Sequence, residues 1–99
     1  MRMLLKMQME VEAGNRAIKE GSFGEVLERV MGQIKPEAAY FTAMDGKRTG
    51  LFFFDLEDLS QIPVIAEPFF MGVNAAIELL PVMSPEEVQL GLEEAAKAF

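Results

Sequence analysis

Met3, Leu5, Met7, Met9 and Val11 occupy alternate positions near the start of the chain, with Arg2, Leu4, Lys6, Gln8 and Glu10 between them. That period of two predicts a half-buried strand over residues 2–11, because successive side chains of extended backbone point to opposite faces. One face is wholly apolar. The other is mixed, since Leu4 shares it with charged and amide side chains. A strand of this kind needs a hydrophobic layer against its odd residues, and the rest of the sequence must supply it.

Helical periodicity follows. Residues 12–21 predict a short helix with Ala13, Ala17 and Ile18 inward and Gly21 as its stop. Ser22 and Glu25 match the S-x-x-E capping box at the start of a second helix. Phe23, Val26, Leu27, Val30, Met31 and Ile34 recur at three- and four-residue steps, with Glu25, Glu28, Arg29 and Lys35 opposite, and Pro36 ends the run. Residues 38–44 and 48–56 predict two strands around Asp45-Gly46, a tight-hairpin signal because glycine tolerates positive φ. Leu51, Phe52, Phe53 and Phe54 do not alternate, so both faces of that strand are expected to be covered.

Residues 59–71 predict a further helix on Ile62, Ile65, Ala66, Phe69 and Phe70. Pro63 suits its first turn. Pro68 lies inside it and predicts a kink near Val64–Glu67, with Gly72 closing the helix. Residues 73–82 predict a fourth strand. Ser84-Pro85-Glu86-Glu87 opens a last helix with proline in the first turn and a second capping box. Val88, Leu92, Ala95 and Phe99 are its apolar stripe.

Two β-α-β units joined by a hairpin give a single α+β domain over residues 1–99, with the ferredoxin-like split arrangement. Its sheet is expected to be four-stranded and antiparallel, ordered fourth, first, third, second. The two long helices cover one face, and the terminal helix packs at an edge or on a partner.

Composition narrows the chemistry. The 99 residues include no Cys and no His, which removes thiol nucleophiles, disulfides, zinc fingers and the usual imidazole base. No carboxylate cluster has calcium-loop spacing and no glycine-rich phosphate loop occurs, so no metal or cofactor is expected. A formal net charge of -7 argues against a nucleic-acid surface. Lys6, Gln8 and Glu10 interrupt the early apolar run, and no run spans a bilayer, so no leader peptide or membrane segment is expected and the cytoplasm is the expected location.

The uncovered sheet face is the informative one. It carries Leu4, Leu80, one of Tyr40 and Phe41, and one set of the Leu51–Phe54 side chains. Soluble monomers rarely leave such a patch bare. A homodimer pairing these faces, with a cavity between the sheets, is the expected solution. Lys6, Gln8, Thr42, Asn74 and Glu78 are expected to share that face, where Lys6 and Glu78 lie on neighbouring strands. They read either as a site that holds an anion or moves a proton, or as an ion pair at the interface rim. Asn15 reads as a ligand contact or as the cap of the short helix, with Arg16 as a carboxylate partner in the first reading. Glu67 is either aimed inward by the kink or solvated. Tyr40, the one tyrosine, is either a proton donor or a packed ring with a wet hydroxyl. The eight methionines read as core filler or as adaptable contacts.

The stretches Gly14-Asn15-Arg16-Ala17-Ile18-Lys19-Glu20-Gly21, Lys35-Pro36-Glu37-Ala38-Ala39-Tyr40-Phe41, Ile62-Pro63-Val64-Ile65-Ala66-Glu67-Pro68-Phe69-Phe70 and Pro81-Val82-Met83-Ser84-Pro85-Glu86-Glu87 carry a further resemblance. With this element order, the chain resembles the dimeric α/β-barrel superfamily, and within it a small prokaryotic family of about this length with no assigned activity. The resemblance implies a homodimer that binds a small molecule in a cavity at the sheet. It also implies kinship with cofactor-independent monooxygenases, muconolactone-isomerase-like enzymes and stress-response barrels. Many of those enzymes use a barrel His that this sequence lacks. A structural or regulatory homodimer without catalysis is the alternative.

Overall fold

The computed structural model describes residues 1–99. The elements run β1 (Arg2–Met9), α1 (Val11–Glu20), α2 (Ser22–Ile34), β2 (Ala38–Met44), β3 (Lys47–Asp55), α3 (Gln61–Val73), β4 (Ala75–Pro81) and α4 (Pro85–Ala96). The strands form one four-stranded sheet ordered β2-β3-β1-β4. All three ladders are antiparallel. This is the expected α+β arrangement, compatible with the ferredoxin-like split.

β1 is central because its odd residues are the most completely apolar set in the chain. Met3, Leu5, Met7 and Met9 are buried beneath the helices, beside Phe52 and Phe54 of β3 and Ala75 of β4. α2 contributes Val30 and Ile34, and α3 contributes Ile65, Phe69 and Val73. Phe23, Val26, Leu27 and Met31 pack partly buried around them, so the helical stripe lies where its spacing put it. Met3, Met7 and Met9 are core filler, whereas Met1, Met71 and Met83 are exposed.

Several local expectations are corrected. β1 ends at Met9 and Val11 already belongs to α1. Asn15 is therefore inside α1 and caps nothing; Glu10 holds the N-cap position. The Ser22–Glu25 capping box does not form. Gly21, at φ 84°, both ends α1 and stands as N-cap of α2, which places Ser22 inside the helix, and its hydroxyl donates to the Ala17 carbonyl at 3.3 Å. One residue serving two helices leaves no room for a side-chain cap. Gly72 does not close α3. The helix runs on through Pro68 to Val73 and ends at Asn74 (φ 52°), whose N–H donates to the Phe69 carbonyl. Phe70 is exposed, and Val73 takes the buried place expected for it. The hairpin is as expected: Asp45 (φ 56°) and Gly46 (φ 73°) both adopt positive φ between Met44 and Lys47.

α4 is capped as its sequence specifies. The Glu87 N–H donates to Ser84 Oγ at 3.2 Å, and the Ser84 N–H donates to Glu87 Oε1 at 2.9 Å. Yet no α4 residue is buried, and Leu90, Leu92 and Phe99 are exposed. The Cα radius of gyration is 16.1 Å, against about 13 Å for a compact chain of this length. The terminal helix stands off the body rather than at a sheet edge.

Candidate functional site

The ladders fix what shares the uncovered face. Three rows cross the sheet: Ala38, Phe53, Leu4 and Leu80; then Tyr40, Leu51, Lys6 and Glu78; then Thr42, Thr49, Gln8 and Ala76. The face is thus graded along the strands. It is apolar near the Leu4 end, mixed in the middle and polar toward the Asp45-Gly46 turn. The opposite face carries the buried odd residues of β1, beneath α2 and α3.

Two members of the polar row, Gln8 and Thr49, are hydrogen-bonded within the chain. Gln8 Nε2 donates to the Met44 carbonyl at 2.9 Å and to Thr49 Oγ1 at 3.1 Å. Thr49 Oγ1 in turn donates to the Lys47 carbonyl at 3.1 Å, and Thr49 is buried. Gln8 therefore holds the hairpin base to the central strand. The middle row is different. Lys6 and Glu78 are directly opposed in the β1–β4 ladder, yet no salt bridge joins them; the ion pairs are Met1–Asp55, Arg2–Glu37, Lys47–Glu10 and Lys97–Glu94. Lys6 is half-buried between Leu51 and Glu78, and Tyr40 is exposed at the β2 edge of the same row.

The other expected residues are dispersed. Asn74, placed on the open face by the sequence reading, is the α3 C-cap and lies against Arg16, Glu20 and Ser22 around a cavity of about 80 Å³. Its αL backbone turns the chain before β4 begins, so it never joins the ladder. Glu67 is half-buried in a groove between α2 and α3, with Glu25, Arg29, Pro68 and Met71, on the outer side of the helix layer. Asn15 lies on α1, where its Oδ1 accepts from Arg48 Nη2 at 2.9 Å.

Arg48 is the residue the sequence reading missed. It follows a hairpin turn and reads there as one more solvated charge. In the register it stands opposite Met9 and Ala43, on the helix side of the sheet. No local pattern marks it, because its neighbours come from α1, where a Cβ on Gly14 would stand 2.8 Å from Arg48 Nη1.

No family model matches the chain, and no curated protein matches it.

Proposed function

We propose that the chain is a homodimeric small-molecule-binding protein of the dimeric α/β-barrel kind, in which two copies pair through the open sheet face. The observation that carries this reading is the graded face itself. Leu4, Phe53 and Leu80 form an apolar band on the face opposite the buried odd residues of β1, Leu80 exposed and Leu4 and Phe53 half-buried. Burying apolar surface is worth about 25 cal/mol per Å², and an isologous contact collects it from both subunits. The exposed α4 supports the same reading, because a helix of 12 residues is marginal in water without tertiary packing. A second copy supplies that packing.

Covering the face would take Lys6 out of water with no carboxylate bound to it. A desolvated ammonium needs an anionic partner, and either the Glu78 opposite or an acidic group of a ligand meets the need. Lys6, Tyr40 and Glu78 are the residues this reading places at the ligand. Sedimentation velocity at micromolar concentration tests the pairing: a species of twice 11.0 kDa is expected, and a single 11.0 kDa species overturns it. Thermal-shift screening tests the ligand, since a binder at a hundredfold its Kd adds about 2.7 kcal/mol of stability.

The alternative, a structural or regulatory homodimer without ligand, is favoured by one observation. Gln8, the amide expected at the site, is engaged within its own chain by Met44 and Thr49. Loss of Lys6 leaving every thermal-shift response unchanged would select it.

A further inference from the structure

On the opposite side of the sheet from the proposed dimer face, Met7, Met9, Phe23, Phe41 and Arg48 line a cavity of about 480 Å³ near the β2–β3 hairpin. That volume lies within the range of small-molecule sites. Its wall is set by packing: Phe41 meets Phe52 edge to face at 5.6 Å between centroids, over Gly50, where a Cβ would stand 2.9 Å from the Phe52 ring. Met7 and Met9 are buried, whereas Phe41 is exposed, so the cavity has an apolar floor and an open side.

Arg48 is the only charged group in this lining. No carboxylate pairs with it. Its guanidinium instead donates to two neutral oxygens of α1, the Val11 carbonyl at 3.4 Å through Nη1 and Asn15 Oδ1 at 2.9 Å through Nη2. The Arg48 stem crosses Gly14, with its Cδ 3.6 Å from where a Cβ would stand, so the missing side chain is what lets it lie there. Two neutral acceptors orient a guanidinium without neutralising it. A guanidinium carries five N–H donors in a planar fork, so donors remain for a further acceptor, and the fork matches a carboxylate in two-point contact.

We propose that this cavity binds a monocarboxylate with a compact aryl or branched-alkyl body, its carboxylate on Arg48 and its apolar part against Met7, Met9, Phe23 and Phe41. One cation fits one negative charge, and the apolar lining fits the remainder. The site lies within one chain, so it stands or falls separately from the pairing of sheet faces.

Phenylacetate and isovalerate are the probes, followed by amide NMR and calorimetry, with phenylacetamide and isovaleramide as neutral counterparts. Saturable binding of at least one acid is expected, with shifts centred on Met7, Met9, Phe23 and Phe41. The matching amide should bind about tenfold more weakly or worse, as when a charged hydrogen-bond partner is lost. Arg48→Met should cost the acid a similar factor and the amide, which loses only a neutral acceptor contact, markedly less, whereas Arg29→Met on the outer face of α2 should alter neither. Asn15→Ala keeps the cation but loses an orienting acceptor, so a smaller loss for the acid alone is expected, and this variant serves if Arg48→Met does not fold. Absence of saturable binding by both acids, equal binding of acid and amide, or shifts mapping elsewhere overturns the proposal.

Discussion

Gly72 on α3 lies so close to Val26 on α2 that a Cβ added to it would stand 2.6 Å from Val26 Cγ2. The two long helices therefore approach through a glycine, and the β-branched valine has little freedom to turn aside. Gly72→Ala is expected to destabilise the fold by about 1–3 kcal/mol, overpacking outweighing the better helix propensity of alanine. Gly24 and Gly32, in the neighbouring helix, meet nothing within 4 Å. Gly24→Ala and Gly32→Ala should each stabilise by about 0.5–1 kcal/mol. Urea denaturation of the three variants reads the contrast, and equal signs at all three sites would refute it.

The same glycine shows why parts of the fold were legible in the sequence and others were not. Period-two and helical stripes report which face of an element is buried, and they placed Met3 to Met9, Val30, Ile34 and Phe69 correctly because burial is set by the side chain itself. Gly72 reads locally as a helix stop. Only the partner helix reveals that its missing side chain serves a close approach, while Asn74 ends the helix. Ser22 failed for a related reason: Gly21 serves two helices at once, a matter of three-dimensional economy rather than of motif. Of the candidate site, the Lys6–Glu78 juxtaposition was legible because alternation gives the face and the strand order makes the two strands neighbours, whereas the choice between Tyr40 and Phe41 needed the β2–β3 register. Arg48 was not, since its neighbours Gly14 and Asn15 come from another element.

Gln8 joins the central strand to the hairpin through the Met44 carbonyl and Thr49 Oγ1. Gln8→Ala is expected to cost about 0.5–1.5 kcal/mol, the range for removing a hydrogen-bonded side chain whose partners keep other bonds or reach water. The loss should be local. Amide exchange should quicken at Met44, Asp45 and Lys47, while the Leu4 end of the sheet keeps its protection. Uniform quickening over all four strands would instead mean that Gln8 contributes only to global stability.

The start of α4 carries a pH dependence of definite sign. The backbone N–H of Ser84, then its side chain, and more weakly the charge of Arg2 hold the Glu87 carboxyl below the usual carboxylate range. A group whose pKa is depressed in the folded state stabilises it above its ordinary pKa, and that contribution fades as pH falls through the folded value. The α4 amides should therefore lose helical character on acidification at the low end of the carboxylate range. Glu87→Gln should abolish the titration at the Ser84 amide while keeping an acceptor there. A Ser84 amide that titrates at the ordinary glutamate pKa in the unaltered protein would contradict the cap's role. The Asp58 carboxyl is likewise depressed by the backbone and side chain of Ser60, so both positions can be followed in one titration.

The open face offers the most demanding test, because its residues can be changed without touching the helix-side core. Leu4 and Phe53 are cross-strand partners on that face, whereas Met3 and Leu5, which flank Leu4, are buried on the other. Leu4→Asp or Phe53→Asp puts a carboxylate into the apolar row and leaves the core packing intact, so the far-UV spectrum should hold. If two copies pair there, each substitution acts twice across the symmetry axis. Losing the burial of one large side chain costs about 1.5–3 kcal/mol, and doubling that weakens the dimer by about a hundredfold or more. Sedimentation of either variant should return the 11.0 kDa chain at concentrations where the unaltered protein is paired. Lys6→Met combined with Glu78→Gln should act oppositely: the pair of changes removes both opposed charges of the middle row, and with them the cost of desolvating them, so pairing should tighten. Aspartate variants that remain paired while keeping their fold would place the interface elsewhere, and the exposed face of α4 would then be the next surface to alter.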